Sequence, residues 1–346
     1  MYYNWKEKIN VDELKKVCSF IKEGEIVVFP TETVYGIGAN ALDVNAVKKI
    51  FYAKGRPSDN PLIVHLSEKN QIGDVAKNIT PVERKIIDTF MPGPLTIILE
   101  KNEIVPDGVT AGLNTVAVRI PNHIIARKII SSVKVPIAAP SANISGKPSG
   151  TNIETIREEL EGKVAAMIDG GETEIGLEST VVKVIDEIPI ILRPGKITPE
   201  DIKKVIGTVK IDDNIFKEIE KNQKVESPGM KYRHYAPDTK CRLIYFEDEI
   251  NQINKMNELI EKYKRDVVVL GFSEHKEKIM ISKEKFIDIG SKENLDEIAK
   301  KIYGALRKAD KIKPQIILIE GIKRQGLGIA IMNRLLRTCE YNYIEG

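Results

Sequence analysis

Cysteine, histidine and long apolar runs are scarce in this chain of 346 residues. Its three cysteines, Cys18, Cys241 and Cys339, lie far apart, leave one over from any pairing and form no CxxC unit. That pattern speaks against a disulfide framework or a cysteine zinc site and implies a reducing compartment, the cytoplasm. The four histidines sit in four distant regions. They support neither a histidine–carboxylate metal array nor a serine hydrolase triad. No apolar run approaches the roughly 20 residues of a membrane span, and the polar start MYYNWKEKIN lacks the apolar region of a signal peptide. One-sided charge is missing too. With 53 basic and 50 acidic residues the net charge is +3, which argues against a chain coated for nonspecific nucleic-acid binding. It leaves a local phosphate site open.

What is present is enough apolar content, 42%, to bury a substantial core, and a length that suggests two domains. NVDELKKVCSFIKEG reads as a helix capped by Asn10, with Glu13 three residues on and Gly24 as its stop. EIVVFP reads as a strand and DVNAVKKIFYAKG as a helix ending near Gly55. Further strands are expected in PLIVHLS, LTIILE, TVAVRIP, VPIAA and AAMIDG, alternating with helices starting near Pro81, Asn122 and Asn152. STVVKVIDEIPIILRPG reads as paired antiparallel strands, so the first sheet is mixed. A second α/β rhythm runs through CRLIYF, a helix over 249–264, VVVLGF, a helix over about 294–309, QIILIE and the helix GLGIAIMNRLLRTCE. That helix carries Ile329, Met332, Leu335, Leu336 and Cys339 on one face. The second domain has no Walker motif and no full GxGxxG fingerprint, and GLG alone is weak evidence for a nucleotide.

Several segments carry chemistry. FPTETVYGIGANA places Thr31, Thr33, Tyr35, Gly36 and Gly38 just after the first strand, as a tight polar loop or a merely structural turn. In KGRPSDNPLIVH, Lys54 and Arg56 bracket Gly55, ahead of Asn60 and His65. On an extended segment side chains two apart point the same way and could address one polyphosphate; the alternative is a basic end to the preceding helix. In TVAVRIP, alternation sets Ala117 and Arg119 on one face. Arg119 is then a carboxylate receptor if that face lines a cleft, and a solvent-facing side chain otherwise. AAPSANISGKPSG repeats Ser141, Asn143, Ser145, Lys147 and Ser149 at every second residue, a phosphate and ribose cradle or a surface loop. GLESTVV adds Ser179 and ILRPG adds Arg193. SPGMKYRHYAP joins the two halves with Lys231, Arg233, His234 and Tyr235, more anion- and ring-gripping groups than a passive linker needs.

Taken together and in order, FPTETVYGIG, Lys54-Gly-Arg56 with Asn60-Pro61-Leu62, MPGPLT, Ser141-Ala-Asn143 and GLESTVV resemble the YrdC-type domain of L-threonylcarbamoyladenylate synthases, over roughly residues 12–207. The linker and the smaller domain resemble that family's long, two-domain branch. The resemblance implies an α/β fold: a YrdC-like mixed twisted sheet with helices over 1–208, a linker and active-site lid over 209–237, and a smaller Rossmann-like three-layer domain over 238–346. It implies a nucleotidyltransferase that makes threonylcarbamoyl-AMP from L-threonine, bicarbonate or CO2, and ATP, releasing pyrophosphate and water. Mg2+ is carried with ATP. The product passes to the complex that completes threonylcarbamoyladenosine at adenosine 37 of tRNA, and weak RNA contact is a further implied partner.

The same resemblance assigns Thr33, His65, Arg119, Ala139 and Ser179 to threonine, with Arg119 on its carboxylate. Lys54, Arg56, Asn60, Thr115, Ser141, Asn143, Ser149, Arg193 and Tyr235 go to ATP. Thr151 is the alternative to Ser149, and Lys54, Arg56, Ser141 and Asn143 are the expected catalytic set. Two rival readings stay open, the second because related domains occur in hydrogenase maturation proteins. One is an RNA-binding protein using a basic concavity without catalysis. The other is a carbamoyltransferase using carbamoyl phosphate, which the lack of acylphosphatase-like and zinc-finger-like segments opposes.

Overall fold

The computed structural model describes residues 1–218 and 234–346. The chain divides into two compact units. Among the described residues, one comprises 1–145 and 149–215; the other comprises Gly146–Pro148, Phe216–Glu218 and 234–346.

The first unit runs β1 (Tyr2–Asn4), α1 (Val11–Lys22), β2 (Val27–Phe29), β3 (Gly36–Asn40), α2 (Val44–Lys54), β4 (Ile63–His65), α3 (Ile72–Val75) and β5 (Ala76–Lys77). It continues with α4 (Pro81–Phe90), β6 (Leu95–Lys101), α5 (Asp107–Thr110), β7 (Thr115–Arg119), α6 (Ile124–Val133) and β8 (Ile137–Ala138). Then come α7 (Ile153–Leu160), β9 (Ala166–Asp169), β10 (Thr180–Ile185), β11 (Ile188–Arg193), α8 (Pro199–Ile206) and β12 (Lys210–Ile211). The strands form one sheet in the order β1-β9-β2-β3-β8-β4-β7-β6-β10-β11-β12, with β5 pairing β6. Parallel pairs such as β4–β7 and antiparallel pairs such as β6–β7 and β10–β11 both occur along it, as expected of a mixed sheet.

Local chemistry fixes the elements. Asn10 accepts from the Asp12 and Glu13 N–H groups and starts α1, satisfying two of the orphan donors at the start of a helix. The Glu13 side chain is drawn away to the Trp5 indole N–H at 2.6 Å. Thr80 and Glu83 close a reciprocal capping box on α4, and Gly55 ends α2 at φ +60°. The two faces of the sheet are served differently. Val28, Ile37, Val64, Ile97, Val116, Val118 and Val182 point into the main core under α2, α4 and α7. On the reverse face α1 and α6 cover β2, β8 and β9 through Val17, Ile21, Ile129 and Ile137. Each fully buried aliphatic side chain contributes about 1.5–3 kcal/mol. Beyond that cover the reverse face carries only a small apolar cluster, Ile63, Ile98, Ala117 and Val181.

Two strands depart from the sequence reading. Gly36 and Gly38, taken there for a tight turn, lie within β3. The reason is steric: a Cβ on Gly38 would stand 2.5 Å from the Phe29 ring and 2.8 Å from Ile137 Cγ2. The polar start of the chain supplies β1, which pairs in parallel with β9 from Tyr2↔Met167 to Asn4↔Asp169, and the Trp5 side chain is buried behind it.

The second unit runs β13 (Cys241–Tyr245), α9 (Glu249–Lys262), β14 (Val267–Gly271), β15 (Phe286–Asp288), α10 (Leu295–Ile312), β16 (Ile316–Glu320), α11 (Leu327–Thr338) and β17 (Tyr343–Glu345). All its pairings are parallel, in the order β15-β14-β16-β13-β17. β15 and β17 were not anticipated. α11 has no exposed stripe: all twelve residues are buried, Arg334 and Arg337 included.

Candidate active site

Part of the expected set lines up in a buried row on the reverse face of the first unit, beyond that apolar cluster. Alternation from the apolar cluster places the next side chain of each strand in a polar row: His65 beyond Ile63, Arg119 beyond Ala117, Thr96 before Ile98, and Ser179 before Val181. The registers align them, with His65 opposite Arg119 and Val181 opposite Thr96. Thr115 is half-buried at the other end of the Ala117–Arg119 face. Ala139 stands beside the row, its N–H bonded to the Ile63 carbonyl at 3.0 Å.

Arg119 is 4% exposed, not solvent-facing, and its Nη2 lies 2.8 Å from Glu32 Oε2. Neither Glu32 oxygen, nor Arg119 Nε or Nη2, has an aligned hydrogen bond. The pair is therefore held by charge alone, with donor capacity to spare. Glu32 was missed in the sequence. The available signal was a carboxylate flanked by Thr31 and Thr33 immediately after a wholly apolar strand. The loop around it is rigid: Thr31 Oγ1 donates to the Val34 carbonyl at 2.7 Å and contacts Thr33 Oγ1 at 2.9 Å. Ile175 and Gly176 donate to the Glu32 and Thr33 carbonyls. His65 is buried, with Nδ1 3.1 Å from the Ile63 carbonyl. Burial first, and then the charge of Arg119, push its pKa down to about 3, so the ring is neutral near pH 7.

Ser179 is the hub of the next layer. Its hydroxyl contacts Thr96 Oγ1 at 2.7 Å and accepts from Arg193 Nη2 at 3.1 Å, while its carbonyl takes Arg193 Nε and Nη2 at 3.1 and 3.0 Å. Glu178 accepts from the Ser149 hydroxyl. Thr151 instead uses its carbonyl, for the Thr173 N–H. The serine-rich loop docks on β3 through the Gly36–Ser141 bridge and through Tyr35, which bonds Ala142 and Gly150.

Lys54 reaches this loop from the end of α2. It is 2% exposed, and its Nζ donates to the Ser141 and Asn143 carbonyls at 2.5 and 2.7 Å. Burial, and then the nearby Arg56, hold its pKa well below the ordinary lysine value. The extended geometry expected for Lys54-Gly-Arg56 does not occur. Lys54 is the last helical residue and Gly55 is left-handed; the Lys54 ammonium goes to the Ser141 and Asn143 carbonyls, and Arg56 donates to the Pro61 carbonyl at 3.2 Å. The Ser141 hydroxyl donates to Asn143 Oδ1 at 2.6 Å. Asn60 is fully buried, yet neither its amide oxygen nor its amide nitrogen has a hydrogen bond. Such a side chain costs about 1–3 kcal/mol to leave unpaired, and it marks a place where a polar ligand group fits.

Tyr235 belongs to the second unit, where it is buried at φ +63° with its ring centroid 5.5 Å from that of Tyr303. His234 beside it is half-buried. The other two members of the expected lid, Lys231 and Arg233, lie outside the described residues.

The arrangement offers a buried guanidinium for a carboxylate, hydroxyls for a small polar side chain, and a lysine, two arginines and an unpaired amide for phosphate and sugar. Comparison with known proteins agrees with that chemistry. Residues 19–195 match the Sua5/YciO/YrdC family model, described as telomere recombination, and residues 197–339 match a threonylcarbamoyl-AMP synthase C-terminal domain. Threonylcarbamoyl-AMP synthase of Pyrococcus abyssi is 44% identical over 99% of this chain and 98% of its own length. That of Bacillus subtilis is 42% identical over 95% of this chain and 93% of its own. The crystal structure of P. abyssi Sua5 complexed with L-threonine superposes at TM-score 0.93, with 43% identity, covering 100% of this chain and 99% of that one.

Proposed function

The chain belongs to the Sua5/YciO/YrdC family with a threonylcarbamoyl-AMP synthase C-terminal domain, and from that premise we infer that it joins L-threonine, bicarbonate or CO2, and ATP into threonylcarbamoyl-AMP, releasing pyrophosphate and water. The observation that carries this is likeness to threonylcarbamoyl-AMP synthases along essentially the whole chain. The neutral amine of threonine attacks CO2 and loses a proton to give an N-carboxylate; where bicarbonate is the source, one proton converts it to CO2 and the water that is released. That carboxylate attacks the α-phosphorus of ATP, and the bond to the pyrophosphate oxygen breaks.

The residues take the following roles in this reading. Arg119 holds the threonine carboxylate, with Thr33, Ser179 and neutral His65 around the amine and hydroxyl, and Ala139 limiting the pocket. Lys54 fixes the Ser141–Asn143 loop and brings a positive charge to the phosphates. Arg56, Asn60, Thr115, Ser149 and Arg193 complete the nucleotide end. Ser149 is preferred to Thr151 because its hydroxyl already faces the buried Glu178. Bringing the carbamate next to a triphosphate opposes like charges. A pair about 4 Å apart costs on the order of 4 kcal/mol at an effective dielectric near 20, which the cationic side chains offset.

Mg2+ arrives on the phosphates of ATP, with water completing its shell. The buried carboxylates Glu32 and Glu178 are already engaged by Arg119 and Ser149. The reading keeps domains at 1–208 and 238–346 and gives the linker over 209–237 the role of a cover that keeps the labile carbamate from water; of that linker Lys210–Ile211 pair in the first sheet as β12, and residues 219–233 lie outside the described residues. The product passes to the complex that modifies adenosine 37 of tRNA in the cytoplasm, with weak RNA contact on the way. No helix among the described residues is long and apolar enough to cross a membrane. Pyrophosphate release from ATP, with threonine and bicarbonate omitted in turn, tests the reading. Release is expected only when all three are present; release without threonine would overturn it.

A further inference from the structure

The buried ion pair of the first unit is more than a carboxylate receptor needs. Glu32 is 3% exposed and Arg119 4%, with Oε2 and Nη2 2.8 Å apart and no hydrogen bond on either Glu32 oxygen. A pair buried in this way adds little stability over an apolar filling of the same size. The carboxylate is nevertheless held firmly in place. The Glu32 and Thr33 carbonyls accept from the Ile175 and Gly176 N–H groups at 2.9 and 3.0 Å, and the hydroxyls of Thr31 and Thr33 meet at 2.9 Å. A fixed, desolvated charge that stability does not explain calls for a part in the reaction.

The charged and titratable groups around Glu32 come from four segments. β7 brings Arg119, β4 brings His65, the head of α6 brings His123, and the loop that bonds the Glu32 carbonyl brings exposed Glu174. Burial and then Arg119 hold the pKa of His65 at about 3, and burial lowers that of His123, with Glu32 opposing and Arg119 adding to the effect. Both rings are therefore neutral near pH 7 and are poor proton acceptors. Glu178, the other buried carboxylate of the site, accepts from the Ser149 hydroxyl. Glu32 is left as the anionic base of the row.

Threonine enters as a zwitterion. Its carboxylate on Arg119 sets a second anion beside Glu32, with one guanidinium between them. Two buried carboxylates so placed do not both stay charged without a further cation or a proton. The ammonium, joined to the same carbon as the incoming carboxylate, brings that proton. It is also the proton that has to leave, since only the neutral amine attacks CO2.

We propose that Glu32 is a catalytic residue of this site, taking a proton from the ammonium of bound threonine and passing it to bicarbonate. The inference rests on the threonine site proposed above. An N–H bond of the ammonium breaks, its electron pair stays on nitrogen, and an O–H bond forms on Glu32. Bicarbonate then takes that proton on its hydroxyl oxygen, and the C–O bond breaks. CO2 and water form beside the freed amine, and Glu32 is ionised again. Once the amine has attacked CO2, Glu32 accepts the second proton from nitrogen and gives it to water.

Pyrophosphate release by the full chain at saturating ATP, threonine and bicarbonate, followed from pH 6.5 to 9, tests this against Glu32→Gln. Threonine binding is measured alongside by calorimetry. Glu32→Gln is expected to bind threonine and yet to lose about a hundredfold or more in release at pH 7. The ratio of the two rates should then narrow about tenfold per pH unit, because solution supplies the neutral amine that the variant cannot make. Taking the ratio removes the pH dependence common to both, that of Lys54 and of bicarbonate included. Glu32→Asp keeps a carboxylate but withdraws it by one methylene; release should fall about tenfold, by a ratio that does not change with pH. Should Glu32→Gln not fold, Glu32→Asp decides alone, on whether release falls while threonine still binds. Unimpaired release in either variant, loss of threonine binding by folded Glu32→Gln, or a Glu32→Gln deficit equal at every pH overturns the proposal. Release by the unsubstituted chain without threonine would instead remove the synthase reading, so the two failures are separate results.

Discussion

Replacing Glu32 by glutamine isolates one charge at the centre of the proposed threonine site. The amide keeps the volume of the carboxylate, so no cavity forms, but Arg119, 4% exposed, loses the counter-ion 2.8 Å away. Breaking a buried pair from one side costs about 3–5 kcal/mol, since the remaining charge stays desolvated. For a unit of this size each kcal/mol lowers Tm by about 2–4 °C, so a drop on the order of 10 °C is expected in a thermal-shift or calorimetric scan. The informative arm is ligand rescue. A threonine carboxylate docking on Arg119 restores the missing charge and no longer meets the Glu32 carboxylate beside it. L-Threonine should therefore bind Glu32→Gln more tightly than the unsubstituted chain and raise its Tm by more; saturation at 100 times Kd is worth about 2.7 kcal/mol. Threoninol, which has the amine and hydroxyl but no carboxylate, should not rescue. Adding Arg119→Gln should recover much of the lost stability, because the two sites are coupled. A threonine-induced rise in Glu32→Gln no larger than in the unsubstituted chain would refute Arg119 as the carboxylate receptor.

His65 should make the first unit acid-sensitive. Its folded pKa, pushed down to about 3 by burial and by Arg119, lies below the ordinary 6.5. Its stabilising contribution is therefore complete above about 6.5 and is lost as pH falls towards 3, by at most about 5 kcal/mol; His65→Asn should flatten urea-denaturation stability between pH 6.5 and 4, and an unchanged slope would count against this. Asn60→Leu should stabilise the fold by about 1 kcal/mol, by removing an unpaired buried amide, while lowering pyrophosphate release at least tenfold; unimpaired release would remove Asn60 from the nucleotide site. Gly195→Ala should cost about 1–3 kcal/mol in thermal unfolding, because its Cβ would stand 2.4 Å from the Thr180 nitrogen and 2.7 Å from the Glu178 carbonyl oxygen, and it should raise the KM for ATP by displacing neighbouring Arg193.

Elements with a strong local signal were legible in the sequence. α1 and α10 carry helical apolar spacing, polar caps at Asn10 and Asn294, and a clear end. Strand alternation put Ala117 and Arg119 on one face, but that this face is buried, with Arg119 4% exposed, was not legible. What could not be read depends on partners far away in the chain. Gly36-Ile37-Gly38 looks like a turn, because glycine is a turn residue until the Phe29 ring is known to lie across it. Tyr2–Asn4 is a strand only because β9 lies beside it. Lys54 and Arg56 are two residues apart, but a left-handed glycine between them sends one to the Ser141 and Asn143 carbonyls and the other to that of Pro61. Glu32 was overlooked because a carboxylate gains meaning only from the cation it meets.

The pairing of β1 with β9 has a consequence for synthesis. Tyr2 is matched to Met167, so β1 leaves the ribosome well before the strand that encloses it. Until β9 emerges, β2 too lacks one of its two neighbours, and a bare sheet edge invites pairing with other nascent chains. A pause in translation just before Ala166 would lengthen that exposure, whereas one after Asp169 would give the sheet time to close.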